Sequence, residues 1–311
     1  MQIAPSREAF IALAADAVIV PVWTDLLGDT MTAVGAFGDV APDGPAFLLE
    51  SVEGGDRWAR WSFLGWDPLF VLTSRHGLVT LEGADIDFDA TDPLTALESL
   101  LSRIRVPDLP GMPPLHTGMV GYLAYDVVRY VEHLPNPPRD DRGLPEMLWM
   151  GVGTLAAFDR FAQRIRLLRN VLVGEDPGAD YDRAVVVLAE AAQRITSGPG
   201  RRAEPVPAAM PVEPAVASMT AAGYGEAVER AVAHIRAGDA FQVVPSVRFE
   251  VPFGGDPFAV YRMLRLLNPS PAMFFLRAPG VAIAGSSPEL LVRVRDGRVF
   301  SRPIAGTRRR G

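Results

Sequence analysis

Apolar runs in this 311-residue chain are short, and glycine, aspartate or proline cuts them before any reaches the length needed to cross a bilayer. Ala46-Phe47-Leu48-Leu49, then 60–65 and 69–73, follow one another with such punctuation, which is the pattern of an antiparallel sheet. Near the end of the chain, Asp296-Gly297 stands between Leu290-Leu291-Val292-Arg293-Val294-Arg295 and Arg298-Val299-Phe300. Asp-Gly between two extended runs is a strong signal for a tight hairpin, because both turn residues need positive φ. Further strands are expected over 118–125, 147–158, 164–173, 242–249, 273–276 and 281–284. Gly118 and Gly121 cost strand stability but permit close backbone approach between layers.

Helices are expected between these runs wherever a cap precedes an apolar stripe of helical period. Ser6 opens one to about Val18, carrying Phe10, Ile11, Leu13 and Ala14. Asp92-Pro93 opens another to Ile104, with Leu94, Leu97, Leu101 and Ile104 along one face. A third spans 179–195. Thr220 caps a fourth, with Tyr224, Val228, Val232 and Ile235 spaced along it before Gly238 stops it. Asp256-Pro257 starts a fifth, with Phe258, Tyr261, Leu264 and Leu267 inward, and the prolines of Asn268-Pro269-Ser270-Pro271 end it. The stretch 198–218, rich in proline, glycine and alanine, reads as a linker between an N-terminal region, 1–197, and a second region, 219–311.

Hydrophobic residues make up 49% of the chain, enough for a substantial core. A net charge of −7 opposes nucleic-acid binding, which needs a basic face to neutralise phosphates. With no cysteine there are no disulfides, thiolate metal sites or cysteine nucleophiles, which suits a reducing compartment. Glu8 and Asp16 interrupt the apolar start where a secretory signal carries an uncharged core, so a cytoplasmic protein without membrane spans is expected. There is no P-loop, His-Glu-x-x-His, Gly-x-Ser-x-Gly or dinucleotide fingerprint. His76, His116, His133 and His234 lack ligand spacing and read as surface or packing residues. Glu50-Ser51 ends an apolar strand, either as a simple turn into a polar loop or as a carboxylate and hydroxyl that grip an ammonium group.

The last ten residues, Arg302-Pro303-Ile304-Ala305-Gly306-Thr307-Arg308-Arg309-Arg310-Gly311, can be a glycine turn with a solvated basic run, or a strand exit offering N–H groups and a hydroxyl to an anion. They resemble the Arg-Pro-Ile-Ala-Gly-Thr-Arg-x-Arg-Gly motif of chorismate-utilising enzymes, in particular the anthranilate synthase large-subunit family. Leu48-Leu49-Glu50-Ser51, Gly118-Met119-Val120-Gly121-Tyr122, Gly238-Asp239-Ala240-Phe241-Gln242-Val243-Val244, Asn268-Pro269-Ser270-Pro271 and Gly285-Ser286-Ser287-Pro288-Glu289 fall in the family's order.

The resemblance implies an α+β fold of layered antiparallel or mixed β-sheets flanked by helices, incomplete at the C-terminus because the family continues beyond this motif. It implies conversion of chorismate and ammonia to anthranilate and pyruvate in tryptophan biosynthesis, with ammonia delivered by a glutamine amidotransferase subunit in a hetero-oligomer. Gly306 and Thr307 are the expected chorismate contacts. Gln242 and Ala305 are expected to select the nucleophile: related enzymes that activate water carry lysine at the first position, and those forming a covalent amine adduct carry lysine at the second. Mg²⁺ is the expected cofactor, and its ligands and the general acid/base histidine are expected C-terminal to Gly311. Glu50, Ser51, Pro271, Ala272 and Met273 are expected to bind tryptophan as inhibitor, although Ala272 replaces the family's tyrosine and removes an aromatic wall. The alternatives are a catalytically silent fragment that binds an aromatic amino acid or a partner subunit, and an aminodeoxychorismate synthase-like relative.

Overall fold

A computed structural model of the chain describes residues 1–51, 60–198 and 214–301. By contacts the chain forms two compact units, one of Met1–Arg202 with Pro257–Gly311 and one of Ala203–Asp256. The expected division at 198–218 follows chain order, whereas this grouping follows contacts and returns the residues after Asp256 to the first unit.

The first unit begins with α1 (Arg7–Ala14), β1 (Ile19–Leu27), α2 (Ala33–Val40), β2 (Ala46–Glu50), β3 (Trp61–Trp66), β4 (Val71–Arg75) and β5 (Leu78–Glu82). It continues through α3 (Pro93–Arg103), β6 (Met119–Leu123), a 3-10 helix (Tyr125–Tyr130), β7 (Met147–Gly151), β8 (Thr154–Asp159), β9 (Arg164–Leu172) and α4 (Pro177–Ser197). The second unit holds β10 (Val216–Ala217), α5 (Ala221–Ala237) and β11 (Phe249–Glu250). The first then resumes with α6 (Pro257–Leu267), β12 (Ala272–Ala278), β13 (Val281–Ser287), β14 (Val292–Arg295) and β15 (Arg298–Ser301).

Ser6, Asp92 and Thr220 cap their helices as the sequence predicts, and Asp176 caps α4, which begins at Pro177, two residues before the expected start. Each accepts a hydrogen bond from a backbone N–H of the first turn, satisfying donors that have no partner inside the helix. Gly238, at φ 88°, ends α5 in the left-handed conformation that a side chain would disfavour. Asp296 and Gly297, at φ 50° and 70°, turn β14 into β15.

Seven strands make the large sheet, in the order β1-β9-β8-β3-β2-β12-β13, and four make a smaller one, β5-β4-β7-β6; the pairings in both are antiparallel. Strand alternation sorts the core. Leu48, Leu64, Ala156 and Leu167 project from the large sheet into one cluster with residues of α1, α2, α4 and α6. Their neighbours Phe47, Leu155 and Leu168 project from the other face, against Val120, Leu148 and Met150 of the small sheet. Leu100 of α3 packs with Phe70, Leu72 and Met147. The first unit is thus layered helix, sheet, sheet, helix, and β8 is buried along its whole length because both its faces are covered.

Several expectations change: α1 ends at Ala14, short of the expected Val18, Leu267 of α6 is 81% exposed rather than inward, and a Cβ at Gly118 would meet nothing within 4 Å. The run 147–158 is two strands in different sheets, and it breaks at Val152-Gly153; a Cβ at Gly153 would lie 1.9 Å from the Asp67 carbonyl oxygen, so a side chain cannot pass this crossing. Of the expected strand 242–249 only Phe249 enters a ladder, in which Phe249–Glu250 pairs with Val216–Ala217. The fully buried face of α3 carries Pro93, Ala96 and Leu100, about one position from the expected stripe, while Leu101 is 48% exposed. Gly121 behaves as its sequence suggests: a Cβ there would stand 1.9 Å from the Leu148 carbonyl oxygen of the neighbouring strand.

Candidate functional site

Glu50 is the last residue of β2 and faces the helix side, in alternation with Leu49 and in phase with Leu48. Its carboxylate is buried, with 1% of the side chain exposed, and such a charge needs hydrogen-bonding partners. Three donors meet it. The Tyr261 hydroxyl donates to Oε2 at 2.8 Å, Arg265 Nε donates to the same oxygen at 3.0 Å, and Arg160 Nη2 donates to Oε1 at 3.2 Å. Tyr261 and Arg265 stand four residues apart on α6, so the helical repeat aims both at one point. Arg160 follows β8 and also donates to Ser62 Oγ at 2.9 Å. Burial, and then the Glu50 charge, push the Tyr261 phenol far above its ordinary range, so it remains a donor.

An aromatic cluster holds α6 against the sheet. Phe258 stacks on Phe37 with ring centroids 4.0 Å apart, and Phe275 meets Phe258 edge-on at 5.2 Å. Tyr261 is fully buried beside them.

Ser51 is buried, and its Oγ has no hydrogen-bond partner among the described residues. Met273 lies opposite Glu50 in the β2–β12 register, so the structure brings the two predicted inhibitor segments together. Met273 is 1% exposed, packed in the helix-side core, and its sulfur accepts from Ser270 Oγ at 3.4 Å. Pro271 is exposed and Ala272 half-buried. Of the five residues expected to bind tryptophan, then, Glu50 is occupied by the ion network and Met273 by the core. The Ser51 hydroxyl has no partner among the described residues, Pro271 is exposed, and Ala272 pairs with Ser287 in the β12–β13 ladder.

Gln242 is exposed in the second unit, in a stretch without regular structure. Ala305, Gly306 and Thr307 lie outside the described residues. Among the described residues no group of three or more His, Asp or Glu side chains is placed to hold a metal. Sequence reasoning missed Tyr261, Arg265 and Arg160 as partners of Glu50, and Ser62 as a partner of Arg160. The i, i+4 spacing of Tyr261 and Arg265 was the available signal, but nothing in it names a strand end more than two hundred residues away.

Residues 44–311 match the family described as chorismate binding enzyme. The anthranilate synthase component 1 of Mycolicibacterium smegmatis is 41% identical over 323 residues, covering 98% of this chain and 60% of its own length. That of Pseudomonas aeruginosa is 39% identical over 318 residues, covering 98% and 63%. The chain therefore spans about three fifths of these relatives' length. Among solved structures, the anthranilate synthase component I of Streptococcus pneumoniae superposes with a TM-score of 0.63 at 27% identity, covering 80% of this chain and 55% of that one. The menaquinone-specific isochorismate synthase of Escherichia coli shares the fold, with a TM-score of 0.50 at 13% identity over 94% and 56% of the two chains.

Proposed function

Because the chain belongs to the chorismate binding enzyme family, we propose that it works as an anthranilate synthase large subunit, or as a part of one. The observation that carries this reading is identity near 40% across 98% of the chain with proteins named anthranilate synthase component 1. In the proposed reaction, ammonia bonds to a ring carbon of chorismate while the ring hydroxyl leaves as water. The hydrogen on the aminated carbon is then lost as the enolpyruvyl C–O bond breaks, pyruvate leaves carrying that proton equivalent, and the ring becomes aromatic.

The residue types at two positions agree with ammonia as the nucleophile. Gln242 carries an amide, which cannot take a proton from water at neutral pH, so the position does not generate hydroxide. Ala305 has no amine to attack the ring, so no covalent adduct competes. Gly306 and Thr307 are the proposed chorismate contacts, through bare backbone N–H groups and a hydroxyl. Magnesium belongs to the proposal as the ion that would bind the substrate carboxylate, with ligands outside the described residues. A glutamine amidotransferase is the proposed source of ammonia. Tryptophan is the proposed inhibitor, through the Ser51 hydroxyl, which has no partner among the described residues, and the Pro271-Ala272 segment. A cytoplasmic setting completes the reading; among the described residues no helix is long and apolar enough to cross a membrane.

The test uses the chain together with whatever C-terminal continuation its gene encodes. Fluorescence should report anthranilate from chorismate, ammonium and magnesium, and Ala305→Lys should lower the rate at least tenfold by filling the nucleophile's approach. Formation of isochorismate or an aminodeoxychorismate in place of anthranilate would overturn the assignment.

A further inference from the structure

We propose that a cavity of about 300 Å³ between the start of α2 and the turn joining β8 to β9 binds a small aromatic carboxylate. Its volume sits at the lower end of ligand pockets, which suits a compound built on one ring. It shares no lining residue with Ser51 or with Pro271, Ala272 and Met273, and the inference does not depend on the function proposed above.

The lining is rich in cations. Arg160, Arg164 and Arg265 all line the cavity. Arg160 and Arg265 share the single charge of Glu50, and each does so through one nitrogen, which leaves their other donors without a partner among the described residues. Arg164 is exposed, and its guanidinium makes no ion pair or hydrogen bond with a described residue. The carboxylate of Asp159 also lines the cavity but is taken by Arg60, at 2.9 and 2.5 Å. Three guanidinium charges against the carboxylates of Glu50 and Asp29 leave one positive charge for an incoming anion. Guanidinium forks match a carboxylate in plane and spacing, so the anion is held by paired donors as well as by field.

The lining also has apolar members, Phe158, Met31 and Ala33, of which Phe158 is 5% exposed. The ligand is therefore amphiphilic, its charge towards the arginines and a flat apolar body towards Phe158. The frame is preorganised. The Phe161 and Ala162 N–H groups each donate to Asp159 at 3.1 Å, Gln163 Nε2 donates to the Arg160 carbonyl at 2.7 Å, and the Gly28 N–H donates to the Gln163 carbonyl at 3.0 Å.

Calorimetric titration with benzoate tests the assignment, with benzamide as the neutral isostere and inorganic phosphate as the anion without a ring. Benzoate should bind in a saturable one-site isotherm, with benzamide and phosphate each at least about tenfold weaker. Arg164→Gln should weaken benzoate at least fivefold and leave the melting temperature in place, because the substitution keeps the backbone pairing of β9 and the guanidinium makes no hydrogen bond or ion pair with a described residue. No benzoate binding up to about 10 mM overturns the proposal. So does equal binding of benzoate and benzamide, or unchanged affinity in the variant. Phosphate binding as tightly as benzoate overturns the aromatic part.

Discussion

Replacing Glu50 by glutamine keeps the volume of the side chain and removes its charge, and the structure sets what this costs. The native carboxylate accepts three hydrogen bonds, two of them from guanidinium groups, with 1% of its side chain exposed. Glutamine offers one acceptor oxygen and turns an amide N–H₂ towards donors, so it can keep the Tyr261 proton but loses both ionic partners. Breaking a buried ion pair by neutralising one side costs about 3–5 kcal/mol. Here the arginine side chains are 40% and 32% exposed and recover water when released, which reduces the penalty to about 2–3 kcal/mol. For a unit of this size that is a fall in Tm of roughly 5–10 °C. Urea unfolding should show a lower midpoint with an unchanged slope, since the surface exposed on unfolding is the same. The Tyr261→Phe variant removes one donor and should cost about 1 kcal/mol, and the double variant should cost less than the sum because both act on one carboxylate. A Glu50→Gln variant within about 0.5 kcal/mol of the native protein would refute the reasoning, because Glu50 would then be no hub.

Phe258→Ala should cost about 3–5 kcal/mol by opening a cavity in the ring cluster that seats α6, measurable by the same unfolding curves. Gly153→Ala should cost about 3 kcal/mol or more, since its Cβ would meet backbone 1.9 Å away, whereas Gly44→Ala, with nothing within 4 Å, should cost only the strain of its positive φ. Asp159 titrates below the usual carboxylate range: burial pushes it up, but Arg60 and the Ala162 and Phe161 N–H groups outweigh burial. Its contribution is thus complete above the unfolded value near pH 3.9 and lost as pH falls through the lower folded value, so the native protein should lose stability more steeply in acid than Asp159→Asn does.

Much of the architecture is legible in the chain because local chemistry specifies it. Caps at Ser6, Asp92 and Thr220, the Gly238 stop and the Asp296-Gly297 turn stand where the sequence places them. Errors arise where distant packing decides. Gly153 gives no local sign that two sheets part there, and the buried face of α3 depends on what α3 covers. For the candidate site, the pairing of Glu50 with Met273 was legible through family motifs. The commitment of Glu50 to Tyr261, Arg265 and Arg160 was not, because it depends on a register between β2 and β12 that no neighbouring residue encodes.

That register also sets a schedule for synthesis. Strands β1, β9, β8, β3 and β2 can assemble as soon as the first 172 residues have emerged, but β2 then has an open edge bearing Phe47, Leu48 and Leu49. Its proper neighbour, β12, begins only at Ala272. At about 5–20 residues per second the roughly 100 intervening residues take some 5–20 s to translate, and through that interval the nascent sheet can recruit any other strand in reach. A ribosome stalled between α4 and α6 would leave a chain with most of its core formed and one adhesive edge uncovered, a natural client for a holdase chaperone.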